Sequence, residues 1–75
     1  MDISVGSIVQ SLVDKFDDWG KTIVVRGELL KVRRAGFDVV LNRESFQCQK
    51  LALLTTPIVP YGEFIEFSRK ELFML

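Results

Sequence analysis

The run from Lys21 to Asn42, KTIVVRGELLKVRRAGFDVVLN, constrains this chain more than any other stretch. Val, Ile and Leu recur through it, and Gly27 and Gly36 stand where a pleated chain must bend or reverse. It predicts a long strand from about Thr22 to Arg34, bent at Gly27, where strict alternation breaks. Ala35-Gly36 is the expected two-residue turn, with Arg33 and Arg34 at or near its tip. Phe37 to Asn42 then returns as a second strand, and Asn42-Arg43-Glu44-Ser45 is polar enough to be the next turn.

Upstream, residues 5–19 fit an amphipathic helix. Val5, Ile8, Val9, Leu12, Val13 and Phe16 recur at helical spacing, with Gln10, Ser11, Asp14, Lys15 and Asp18 on the other side. Ser7 and Gln10 have capping-box spacing, and Gly20 is a natural stop. Downstream, F-Q-C-Q alternates, which puts Phe46 and Cys48 inward and Gln47 and Gln49 outward. Thr55 to Gly62 carries Pro57 and Pro60, neither of which can donate to a ladder, so it reads as a stiff loop or an edge. Glu63 to Phe67 is a short strand. Ser68 and Glu71 again have capping-box spacing, which allows either a tight turn before a last strand, Leu72–Leu75, or a short C-terminal helix.

The expected fold is therefore one α+β domain over residues 1–75. A helix at about 5–19 is followed by a strongly bent antiparallel sheet at about 21–75, curled into a small barrel. With 75 residues the buried share of the surface is modest, and such domains lean on disulfides, metals or self-association. Cys48 is the only cysteine and the chain has no His, which removes an internal disulfide and argues against a zinc site. Self-association into a homo-oligomer is the stabiliser left. There is no apolar run long enough to span a bilayer and no signal-peptide pattern, so a cytoplasmic location and no membrane partner are expected.

Formal net charge is zero, but it is unevenly spread. Residues 21–50 carry seven bases against three acids, while residues 1–20 carry four acids against Lys15. The central excess suits an anion-facing surface or, equally, a solvated sheet face. No paired nucleophile and base and no Gly-rich phosphate loop occur, so no enzyme, cofactor or small-molecule substrate is expected.

Gly20-Lys21-Thr22-Ile23-Val24-Val25 resembles the G-K-x-V-x-V strand of the Sm-like proteins. Phe37-Asp38-Val39-Val40-Leu41-Asn42 resembles their D-x-x-M-N turn, with Leu41 in place of Met, and GEFIEFSRKELFML is similar in pattern to their last two strands. The resemblance implies an SH3-like small barrel that closes rings by pairing edge strands and binds single-stranded RNA. Asn42 would contact a base, Asp38 would brace its loop, and Arg33, Arg34 and Arg43 would contact phosphates. The alternative is a protein-interaction or assembly module with no nucleic-acid role, whose arginines are merely solvated.

Overall fold

The computed structural model describes residues 2–75, and these are built almost wholly of strands. The strands are β1 (Ile8–Ser11), β2 (Lys15–Phe16), β3 (Thr22–Val24), β4 (Leu29–Asp38), β5 (Arg43–Ala52), β6 (Val59–Phe67) and β7 (Leu72–Met74). A single 3-10 turn, Arg69–Glu71, precedes β7. Five strands form one antiparallel sheet in the order β6-β5-β4-β1-β7, and β2 and β3 form a separate hairpin.

This corrects the α+β expectation in two respects. Residues 5–19 hold no helix; they supply β1 and β2. β1 lies between β4 and β7, paired with both, so its backbone groups are satisfied by distant strands. Val9 and Ser11 point inward while Ile8 and Gln10 alternate outward, a period of two inside what reads as a helical stripe. β-Branched Val5, Ile8, Val9 and Val13 weaken the helical option further. Nor does the sheet close into a barrel, because β6 and β7 form its two edges and do not pair with each other.

The central hairpin is also redrawn. The expected single strand from Thr22 to Arg34 is two strands separated by a turn at 25–28, where the Glu28 N–H donates to the Val25 carbonyl at 3.1 Å. Gly27 makes that turn possible at φ +93°, a region side chains resist, while its N–H donates to the Ser11 carbonyl at 2.8 Å. Ala35 and Gly36 make no turn. They lie within β4, opposite Phe46 and Ser45, and the chain reverses at residues 39–42 instead. Arg43, Glu44 and Ser45, expected in a turn, open β5.

The core is small: Ile3, Val9, Val24, Leu30, Val32, Phe46, Cys48, Phe67 and Leu72, with Val13, Ile23, Ile65 and Met74 packed against it. Phe46 and Cys48 are buried as their alternation with Gln47 and Gln49 requires. Cations cover its two aromatic rings. Lys15 Nζ lies 4.9 Å from the Phe67 ring centre and the Arg69 guanidinium 5.5 Å from that of Phe46. Each is neutralised in place. Lys15 donates to both Glu71 oxygens at 3.0 Å, and Arg69 donates to both Glu44 oxygens at 2.8 and 2.7 Å. The C-terminal alternative resolves as a tight turn followed by a strand, with the Ser68 N–H donating to the Glu71 carboxylate at 2.8 Å.

Candidate interaction surface

β4 and β5 run on beyond their neighbours. β1 ends its pairing with β4 at Lys31, and β6 reaches only as far as Phe46 on β5. Gly36, Phe37 and Asp38 therefore pair with Ser45, Glu44 and Arg43 in a two-stranded arm that no third strand supports. Such ribbons are marginal in water unless an apolar face is covered. Here it is not: Phe37 is 58%, Val39 82% and Val40 93% exposed.

The turn at the end of the arm is nevertheless well defined. Asp38 Oδ1 accepts the N–H groups of Val40 and Leu41 at 3.0 and 3.1 Å, an Asx turn. Asn42 closes it at φ +52°, a left-handed conformation that Asn tolerates better than most residues. The same device recurs in the β2–β3 hairpin. Asp17 Oδ1 accepts from the N–H groups of Trp19 and Lys21 at 2.9 and 2.8 Å, and Trp19 is 92% exposed. In both turns an acidic side chain fixes the backbone and an apolar residue two positions on faces solvent.

The far end of β5 is apolar as well. Leu53, Leu54 and Ile58 are exposed in the loop to β6, and Val59 and Tyr61 are partly exposed where β6 begins. Leu51, Ala52, Leu53, Leu54, Thr55 and Tyr61 border a shallow, open depression there. Residues 51–62, LALLTTPIVPYG, contain no charged side chain.

The residues expected to bind RNA are only partly gathered. Asp38, Asn42 and Arg43 meet at the end of the arm, with Asp38 and Arg43 directly opposite each other. Arg34 lies on the face of β4 that carries Asp38, stacks 5.1 Å from the Phe64 ring centre, and borders a shallow hollow with Gly36, Ser45 and Gln47. Arg33 sits at a register shift in β4 and donates to Gln49 Oε1 at 2.9 Å. Two of the five thus serve the turn, and two more have partners within the sheet. Val39, Val40 and Leu41 occupy the turn itself, and the ring beside it in sequence is that of the exposed Phe37.

Both edges of the sheet are blunted. β6 contains Pro60, which has no N–H, and an irregularity around Gly62 at φ +82°; it also carries Glu63 and Glu66. β7 is three residues long. These features discourage strand addition.

The apolar tips were not singled out by sequence alone, although a signal existed. Asp38 and Asn42 flanking Val39-Val40-Leu41 is turn chemistry around apolar residues, and a charge-free run of twelve residues is unusual on a surface. Among the described residues no group of three or more His, Cys, Asp or Glu side chains could hold a metal ion, and no helix is long and apolar enough to cross a membrane. No protein-family model, curated protein or solved structure matches this chain.

Proposed function

We propose that this chain is a non-enzymatic assembly module that works by associating with itself through apolar side chains. One observation carries the reading: the molecule has more surface than its mass warrants. It exposes 5345 Å², whereas a monomer of 8.6 kDa is expected to expose about 4,700 Å². The surplus of roughly 650 Å² approaches the ~800 Å² that each partner contributes to a standard interface. Among the described residues, half of the exposed large apolar side chains lie at the arm, in the loop after β5 and at the start of β6. The small core, with no disulfide to staple it, adds a thermodynamic reason to associate.

The contact this reading favours is made by side chains, because both sheet edges are guarded against pairing. It therefore departs from the edge-to-edge ring that the Sm-like resemblance implies. RNA binding is the weaker reading. Asp38 and Asn42 are accounted for by the turn they build, and Arg33 and Arg34 by their neighbours in the sheet.

Sedimentation velocity from 1 to 100 µM, on nuclease-treated and untreated protein, tests the proposal. Association that persists after nuclease treatment and in about 0.5 M salt is the expected result, since apolar contacts are not screened. A chain that remains monomeric throughout refutes it. Saturable binding of labelled single-stranded RNA at low salt by a chain that stays monomeric would transfer the reading to nucleic acid.

A further inference from the structure

We infer that the β2–β3 hairpin is a flap over the core, latched from Lys15 to Glu71, that opens while the five-stranded sheet stays folded. The inference stands apart from self-association and holds for a single copy of the chain.

The base of the flap is fixed. The chain leaves the sheet after Ser11 and rejoins it at Gly27, and these two points are bonded together. The Gly27 N–H donates to the Ser11 carbonyl at 2.8 Å, and the Ser11 N–H donates to the Glu28 carbonyl at 2.9 Å. The Leu12 N–H, donating to the Glu71 carbonyl at 2.8 Å, carries the β1–β7 pairing one step further. Between these anchors β2 and β3 form a sheet of their own. The segment is also tied from within. Asp17 Oδ1 accepts the N–H groups of Trp19 and Lys21, and Asp14 Oδ1 accepts that of Arg26 at 2.7 Å. The hairpin can therefore leave without breaking a pair in the large sheet.

What holds it down is thin. Val24 is buried, with Val13 and Ile23 packed against the core beside it. The other large apolar side chains of the segment, Phe16, Trp19 and Val25, are exposed. Lys21, Thr22 and Ile23 face Lys50, Tyr61 and Glu63 across an open hollow. Among the described residues, Lys15 is the one side chain of the hairpin that hydrogen-bonds to the rest of the molecule. Its Nζ donates to both Glu71 oxygens at 3.0 Å while lying over the Phe67 ring. The Ser68 N–H fixes the same carboxylate, so the stationary half of the latch belongs to the turn before β7. Segments with few buried apolar contacts open at a free energy below that of the whole fold. Once released, the hairpin is an isolated two-stranded ribbon, which is marginal in water, so its ladder melts as it leaves.

Hydrogen exchange of the full chain at about 1 µM, read by mass spectrometry in urea below the unfolding transition, tests this. Residues 13–24 should be at least about 10-fold less protected than the buried stretches of β4 and β5. Their exchange should also depend less on urea, because opening the flap exposes little surface. Lys15→Met keeps the stem on Phe67 but removes the donors, and should speed exchange in the hairpin about 5- to 10-fold. Glu44→Ala breaks the pair with Arg69, which survives flap opening. It should speed exchange in β4 and β5 and leave the hairpin unchanged. A wild-type hairpin with the protection and urea dependence of β4 and β5 opens only with the whole chain, and overturns the inference. So does a hairpin indifferent to Lys15→Met, or one that Glu44→Ala speeds as much as the sheet.

Discussion

The Asp38 carboxylate accepts the N–H of Val40 at 3.0 Å, so a charged side chain holds one of the most exposed apolar residues in place. Its Oδ1 also accepts the N–H of Leu41 at 3.1 Å, so one carboxylate oxygen holds two successive N–H groups of the turn. What it braces is an aliphatic tip. A fixed tip loses less conformational entropy on docking than a mobile one.

Replacing Asp38 tests that relationship. Asp38→Ala removes the acceptor for two N–H groups and should lower stability by about 0.5–1.5 kcal/mol. It should also weaken self-association several-fold by loosening the tip. Asp38→Asn keeps a side-chain oxygen in the same place and should retain most of both. Amide hydrogen exchange at Val40 and Leu41 separates the variants directly, and rapid exchange is expected only for Asp38→Ala.

Acid should destabilise the fold through Glu71. Burial pushes its carboxyl up, but the Ser68 N–H, the Lys15 ammonium and the Ser68 hydroxyl outweigh it, and the net shift is downward from 4.5. A carboxyl lowered by folding contributes stability above its unfolded value. That stability is lost as pH falls through the folded value. Glu44, lowered chiefly by its hydrogen bond from Arg69, acts in the same window. Glu71→Gln should cost about 1–3 kcal/mol at pH 7 and flatten the fall in urea midpoint below about pH 4.5.

Cys48 should be inert in the native state. It is fully buried opposite Val32 and Ile65, and burial pushes its thiol up to about 11. A thiol reagent at pH 7.5 should modify it only as fast as the chain unfolds. Modification should become rapid in denaturing urea. Fast labelling under native conditions would contradict the inward phasing of β5.

The core has little stability to spare. Phe67 faces Phe46 across β5 and β6, and both are almost fully buried. Phe67→Ala should cost about 3–5 kcal/mol, set against a total of about 4–11 kcal/mol for a chain of this length. Loss of the cooperative thermal transition at 37 °C or below is the expected outcome by circular dichroism. Phe67→Leu, which keeps most of the volume, should retain it.

Sequence alone determined the features that depend on near neighbours. The alternation Phe46-Gln47-Cys48-Gln49 fixed which side of β5 is buried, because side-chain direction in a strand has a period of two whatever it pairs with. Ser68 and Glu71 marked a capping contact within four residues, but whether a strand or a helix follows it was left to the structure. Tertiary structure decided the rest. Residues 8–11 satisfy a helical stripe and a strand alternation alike, and pairing with Leu29–Lys31 and Leu72–Met74, distant in sequence, selects the strand. The turn moved from Ala35-Gly36 to residues 39–42 because Ala35 pairs with the buried Phe46, which carries β4 past its glycine. That shift created the arm. The same residues that read as a basic turn became an unsupported ribbon with an aliphatic end, and long-range register rather than local composition set what the surface presents.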